Sequence, residues 1–118
     1  MDELGFVFSP LDLKILILSI LRRLPAEIRT EQLLNLCQLA GVVNYFDFNS
    51  CLDELASNSQ IRDQDGLLTI SERGARNAEA LESSLPYSVR QRVENLIAVA
   101  HPDFRAELRK DAERLLLW

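Results

Sequence analysis

Residues 60–74, Gln-Ile-Arg-Asp-Gln-Asp-Gly-Leu-Leu-Thr-Ile-Ser-Glu-Arg-Gly, read as a short β-hairpin that runs directly into a helix. Asp65-Gly66 is the turn, because glycine takes positive φ without steric cost. Ile61 anchors the outgoing strand, and Leu67–Ile70 make the return strand. Ser71 then caps a helix over 72–84. Such a hairpin cannot stand alone. It needs helices to cover its apolar face, and two helical segments come directly before it.

The first helix spans about Leu11 to Leu24, with Ser9-Pro10 as N-cap and first helical residue and Pro25 as its stop. Ile15, Leu16, Ile17, Leu18, Ile20 and Leu21 cover nearly its whole circumference. A helix apolar all round must be covered all round, and in so small a domain this predicts a second subunit over one side. Ala26–Arg29 is a candidate short strand with Ile28 inward. Thr30 is the N-cap of a second helix over 31–40, which Gly41 ends. Asn44 caps a third helix over 45–57. Winding it at 3.6 residues per turn sets Tyr45, Phe48, Cys51, Leu52 and Leu55 on one face, and Phe46, Asp47, Ser50, Asp53, Glu54 and Ser57 on the other.

Helix, helix, hairpin, helix is the order of a winged-helix domain. The fold class read here is therefore mainly α (α+β), with a two-stranded β-wing and C-terminal helices. Pro86 and Pro102 punctuate that C-terminal part into helices over 87–100 and 103–117. The chain divides into an apolar arm (1–9), the winged-helix unit (10–84) and C-terminal helices (85–118) that form a dimerisation region or begin a truncated second domain. Phe6 and Phe8 in the arm pack on the body or on a partner. Leu115 and Trp118 belong to an apolar ending that calls for cover, either by a partner chain or by the rest of a longer protein.

Several function classes are excluded on composition. The longest apolar run, Ile15–Leu21, has seven residues, whereas a membrane span needs about 20. Asp2 and Glu3 stand where a signal peptide has basic residues, so a cytoplasmic protein with no membrane partner is expected. Cys37 and Cys51 form no CxxC pair and read as small buried apolar groups. With them, the single histidine, His101, makes no metal site, and no cofactor is expected. No Gly-rich phosphate loop or nucleophile–base pair is present, so the chain does not read as an enzyme.

From Asn44 onward the sequence resembles a bacterial family of uncharacterised winged-helix proteins, catalogued as a domain of unknown function. Asn44-Tyr45-Phe46-Asp47-Phe48, Leu52-Asp53-Glu54-Leu55, Leu68-Thr69 with Gly74, and Leu85-Pro86-Tyr87-Ser88-Val89-Arg90 carry the resemblance, and Lys14–Leu18 is similar to the family's opening. The Leu-Thr-x(4)-Gly element is also similar to multidrug-resistance-type and phenolic-acid-type repressors. The resemblance implies a dimeric winged helix of regulator type, acting on double-stranded DNA. It implies no ligand or operator. Relatives continue into a β-rich region that this chain lacks, which fits a truncated piece.

The charge distribution cuts against strong DNA binding. The formal charge is −5, and residues 30–70 hold six acids and one base, Arg62, so they account for all of it. These are the residues that would face DNA. Candidate DNA-contacting residues are Asn44, Tyr45, Asn49 and Ser50 on the third helix, Arg62 on the wing, and Arg73 and Arg76 after it. Asn can pair with adenine, yet Asn44 is equally a plain cap and Asn49 a solvated side chain. Arg22, Arg23 and Arg29 would add a basic rim if folding brings them together. Phe46, among acids, either packs under a neighbouring loop or anchors a protein partner. The alternative function is thus a protein–protein assembly module that does not use its acidic third helix on DNA.

Overall fold

The first helix, α1 (Pro10–Arg23), starts at Ser9, whose hydroxyl accepts from the Asp12 N–H at 3.1 Å, and stops before Pro25. The computed structural model describes residues 6–100. The helix expected over 103–117, with Leu115 and Trp118, and the first residues of the arm lie outside them. Leu13 and every residue from Ile15 to Leu21 are buried. Their cover comes from the chain's own elements, which corrects the expectation of a second subunit over α1. The helices α2 (Thr30–Ala40), α3 (Tyr45–Ser57), α4 (Glu72–Leu81) and α5 (Tyr87–Ala100) all touch α1, as does the returning hairpin strand. Burying a Leu or Ile side chain contributes about 1.5–3 kcal/mol, so α1 is the axis on which the rest condenses.

The hairpin strands are β2 (Ile61–Gln64) and β3 (Leu67–Ile70), joined by Asp65 and Gly66 with φ of 57° and 84°. Both turn residues have positive φ, as a type I′ turn requires. The Asp63 carboxylate accepts from the Gly66 N–H at 3.0 Å. The hairpin gains a third strand: β1 (Ile28–Arg29) pairs antiparallel with β3, giving the order β1-β3-β2. Ile28 stands opposite Leu68, and Leu68 opposite Asp63, while Arg29, Leu67 and Gln64 form the adjacent row. Ile28, Ile61 and Leu68 face the core.

Thr30 does not cap α2 with its side chain as expected. It is the first helical residue, and the Gln32 side chain accepts from the Arg29 N–H instead. The Thr30 N–H and hydroxyl both donate to the Gly66 carbonyl, at 3.0 and 3.3 Å. The start of α2 is thereby tied to the hairpin turn. Gly41 does end α2, but through close packing and not through a left-handed turn. A side chain there would meet the Phe6 carbonyl and the Phe8 ring, whose Cε2 would lie 2.5 Å from its Cβ. The arm lies across this point: Val42 N–H donates to Phe6 O at 2.7 Å, and Phe8 N–H to Val42 O at 3.1 Å.

After α3 the backbone turns through Ser59, at φ 60°. Ser59 N–H donates to Ala56 O and Gln60 N–H to Leu55 O, the paired bonds of a Schellman cap. Ser71 caps α4, accepting from Gly74 N–H at 3.1 Å. The predicted helix over 72–84 ends at Leu81 and tightens into a 3-10 turn over Glu82–Ser84. Among the described residues no helix is long and apolar enough to cross a membrane. The described fold is mainly helical, with one small three-stranded antiparallel sheet.

Candidate functional site

The third helix brings most of the sequence candidates to one region. Asn44 is an N-cap: its Oδ1 accepts from Phe46 N–H at 2.8 Å and from Asp47 N–H at 3.1 Å. Tyr45 and Phe46 follow it at 57% and 78% exposure, with ring centroids 6.0 Å apart in an edge-on arrangement. Asn49 is half-buried and Ser50 exposed. Phe46, Ser50, Asp53 and Ser57 succeed one another at helical spacing as an exposed stripe. Phe46 is therefore not packed under a loop or into the hairpin. The opposite face of α3, with Phe48, Cys51, Leu52 and Leu55, is buried as the winding predicts, but Tyr45, assigned to it, lies outside.

Electrostatically this helix is acidic throughout. It carries Asp47, Asp53 and Glu54 and no Lys or Arg. Lys14 on α1 is bound to the Glu54 carboxylate, and that hydrogen bond holds its ammonium above the usual range. Cys51 lies beneath the same contact, with its Sγ 3.4 Å from Pro10 O. Burial pushes its thiol up to about 11, and burial pushes Cys37 higher still. Both thiols stay protonated at neutral pH and act as packing groups.

The expected basic rim is smaller than the sequence suggested. Arg22 and Arg23 are drawn to Glu82, with N–O distances of 2.6 and 2.5 Å, and Arg23 also reaches Glu94 at 3.8 Å. Arg76 leans on Glu72 at 3.7 Å. Arg92 donates to Ala40 O, and Arg90 donates to Leu85 O while lying over the Tyr87 ring. Among the described residues, Arg29, Arg62 and Arg73 are the exposed arginines with no acidic or carbonyl partner.

Two of these three share a surface. Arg62 pairs with Thr69 and Arg29 with Leu67, and Thr69 and Leu67 are two apart on β3. Side chains two apart on a strand project to the same side, so Arg29 and Arg62 lie on one face of the sheet. That face also holds Leu67, Thr69 and Gln64. Sequence reading singled out Arg62 and gave Arg29 only a place in the rim, because the pairing that joins them spans 33 residues. Of the partner-contact candidates, Phe8 is a core residue at 4% exposure, stacked edge-on against half-buried Phe6 at 5.0 Å. Phe6 and Phe8 therefore pack on the chain's own body. Leu115 and Trp118 lie outside the described residues.

Among the described residues, no three His, Cys, Asp or Glu side chains are grouped to hold a metal ion. No curated protein and no solved structure matches the chain. A family model does, over residues 13–115, and it takes in the central helix, the acidic third helix and the three-stranded sheet alike; the chain belongs to the family described as Domain of unknown function (DUF4364).

Proposed function

We propose that this chain is a DNA-binding transcriptional regulator of winged-helix type, gripping the duplex with its sheet and not with α3. The observation that carries the reading is the pairing of β1 with β3. It supports the winged-helix order helix, strand, helix, helix, hairpin, and it puts Arg29 and Arg62 on one face of the sheet, on the two strands that flank β3, with no acidic partner among the described residues. Unpaired arginines on a rigid strand are suited to phosphate oxygens, since little side-chain order must be imposed on binding. Arg73, in the first turn of α4, adds a third cation. By contrast, Asp47, Asp53 and Glu54 would face a duplex carrying one negative charge per ~1.7 Å of axis. Dimerisation stays part of the proposal on the strength of the resemblance alone, because α1 supplies no apolar face for a second copy.

Binding to a mixed-sequence duplex, followed by fluorescence anisotropy between 50 and 200 mM salt, tests this. Each phosphate neutralised contributes about −0.9 to the slope of log affinity against log salt, so three arginines predict roughly −3 per chain. Arg29→Glu and Arg62→Glu should each reduce that slope by about one. A folded protein that fails to bind at about 50 mM salt, where counterion release favours binding most, would sink the reading.

A further inference from the structure

We infer that the outer face of α3 is a docking surface for a basic segment of another protein, anchored by an apolar side chain at Tyr45 and Phe46. Phe46 is 78% exposed and Tyr45 57%, and the two rings brace each other edge-on at 6.0 Å. Exposed aromatic pairs on a rigid helix are the usual anchors of protein interfaces, because they offer large contact area with few rotatable bonds. The surrounding charge is of one sign. Asp53 follows Phe46 at helical spacing, and Asp47 and Glu54 flank the stripe. Asp47 and Asp53 have no cationic partner among the described residues, and Lys14 is already held by Glu54.

The occupant follows from where the chain's charge lies. Residues 1–29 hold four acids and four bases, and residues 71–118 hold eight of each. The excess of five acids in residues 30–70 is therefore not offset in net by the rest of the chain, and the exposed arginines Arg29, Arg62 and Arg73 lie on the sheet and α4, not on α3. A second copy carries the same net charge of −5, so two copies repel overall and a basic partner of different sequence is the complementary occupant. A duplex is disfavoured here for the same electrostatic reason. The surface is on a different element from the arginines of the sheet, and the inference does not rest on DNA binding.

The test uses the full chain, labelled for amide NMR, and a synthetic amphipathic helix of Leu, Lys and Arg, with its Glu-for-Lys/Arg counterpart as control. The basic peptide should shift amides between Tyr45 and Asp53, with an affinity that falls as salt rises, and the acidic one should not bind. Phe46→Ala and Asp53→Lys should each weaken binding about ten-fold. Both side chains are exposed, so an unchanged melting curve checks that the fold is intact. Peptide shifts that map elsewhere, or variants that bind as tightly as the parent, overturn the inference. A duplex that shifts the α3 amides in a parallel titration also overturns it, by making α3 a base-reading helix. Arg29→Glu and Arg62→Glu should leave peptide binding as it is, so failure of this surface and failure of DNA binding are separately visible.

Discussion

The carbonyl oxygen of Gln60 occupies the space where a side chain on Gly74 would begin. A Cβ added there would be well inside contact distance of that oxygen and 2.9 Å from Ile70 Cγ1. The oxygen is also held in place, since it accepts from the Ser71 N–H at 3.0 Å. Replacing glycine by alanine inside an exposed helix ordinarily gains about 1 kcal/mol. Here the sign should reverse: Gly74→Ala forces apart α4 and the hairpin entry, and overpacking of this kind costs about 1–3 kcal/mol. A fall of several degrees in the melting temperature, read by circular dichroism, is the expected result. It also gives the Leu68-Thr69-x(4)-Gly74 element a physical meaning as the clamp between hairpin and following helix.

Ser59 makes the opposite prediction. It holds the left-handed conformation at the Schellman cap of α3 with a side chain that gains nothing from it. That conformation costs a non-glycine residue about 1–2 kcal/mol. Ser59→Gly should therefore stabilise the protein, moving the urea midpoint upward with an unchanged denaturant slope.

Glu82 couples the end of α1 to the 3-10 turn and, through Arg23, to α5. Burial alone would raise its pKa, but hydrogen bonds from Arg23 and Arg22 outweigh burial and hold it below the usual carboxylate range. A depressed carboxylate stabilises the fold above its unfolded pKa and loses that contribution as pH falls through the folded value. The loss should begin near the ordinary glutamate pKa of about 4.3 and continue below it. Glu82→Gln should cost about 1.5–3 kcal/mol at neutral pH and flatten the stability profile in acid. Denaturation series from pH 7 to pH 3 measure both effects.

Asn44 separates capping from base reading. Its Oδ1 already satisfies two backbone N–H groups at the start of α3. Asn44→Ala should cost about 0.5–2 kcal/mol, whereas Asn44→Asp keeps the cap and should leave stability nearly unchanged. If the same Asp variant also leaves duplex binding unchanged, the amide is a cap and has no part in reading bases.

Features written in local sequence were legible before the structure. Ser9-Pro10, Asn44, Ser71 and Asp65-Gly66 set helix starts and the turn, and the helices begin within one residue of those signals. The family, too, could be read from the ordered motifs between Asn44 and Arg90. Contacts between distant residues were not legible. The pairing of Ile28 with Leu68 turned a two-stranded wing into three strands, and Glu82 took Arg22 and Arg23 out of the basic rim from some 60 residues away. The apolar circumference of α1 was read correctly as needing cover. What periodicity could not tell was whose side chains supply it, because a buried face carries no mark of the chain that buries it.

That self-coverage fixes how the molecule comes apart. Four helices and β3 all lean on α1, so no single element can peel away and leave α1 fully wetted. Its interior amides should exchange with deuterium only when the whole domain unfolds, at rates set by the global stability, while those of the hairpin turn exchange through smaller openings. Unfolding α1 and unfolding the protein should then be one event.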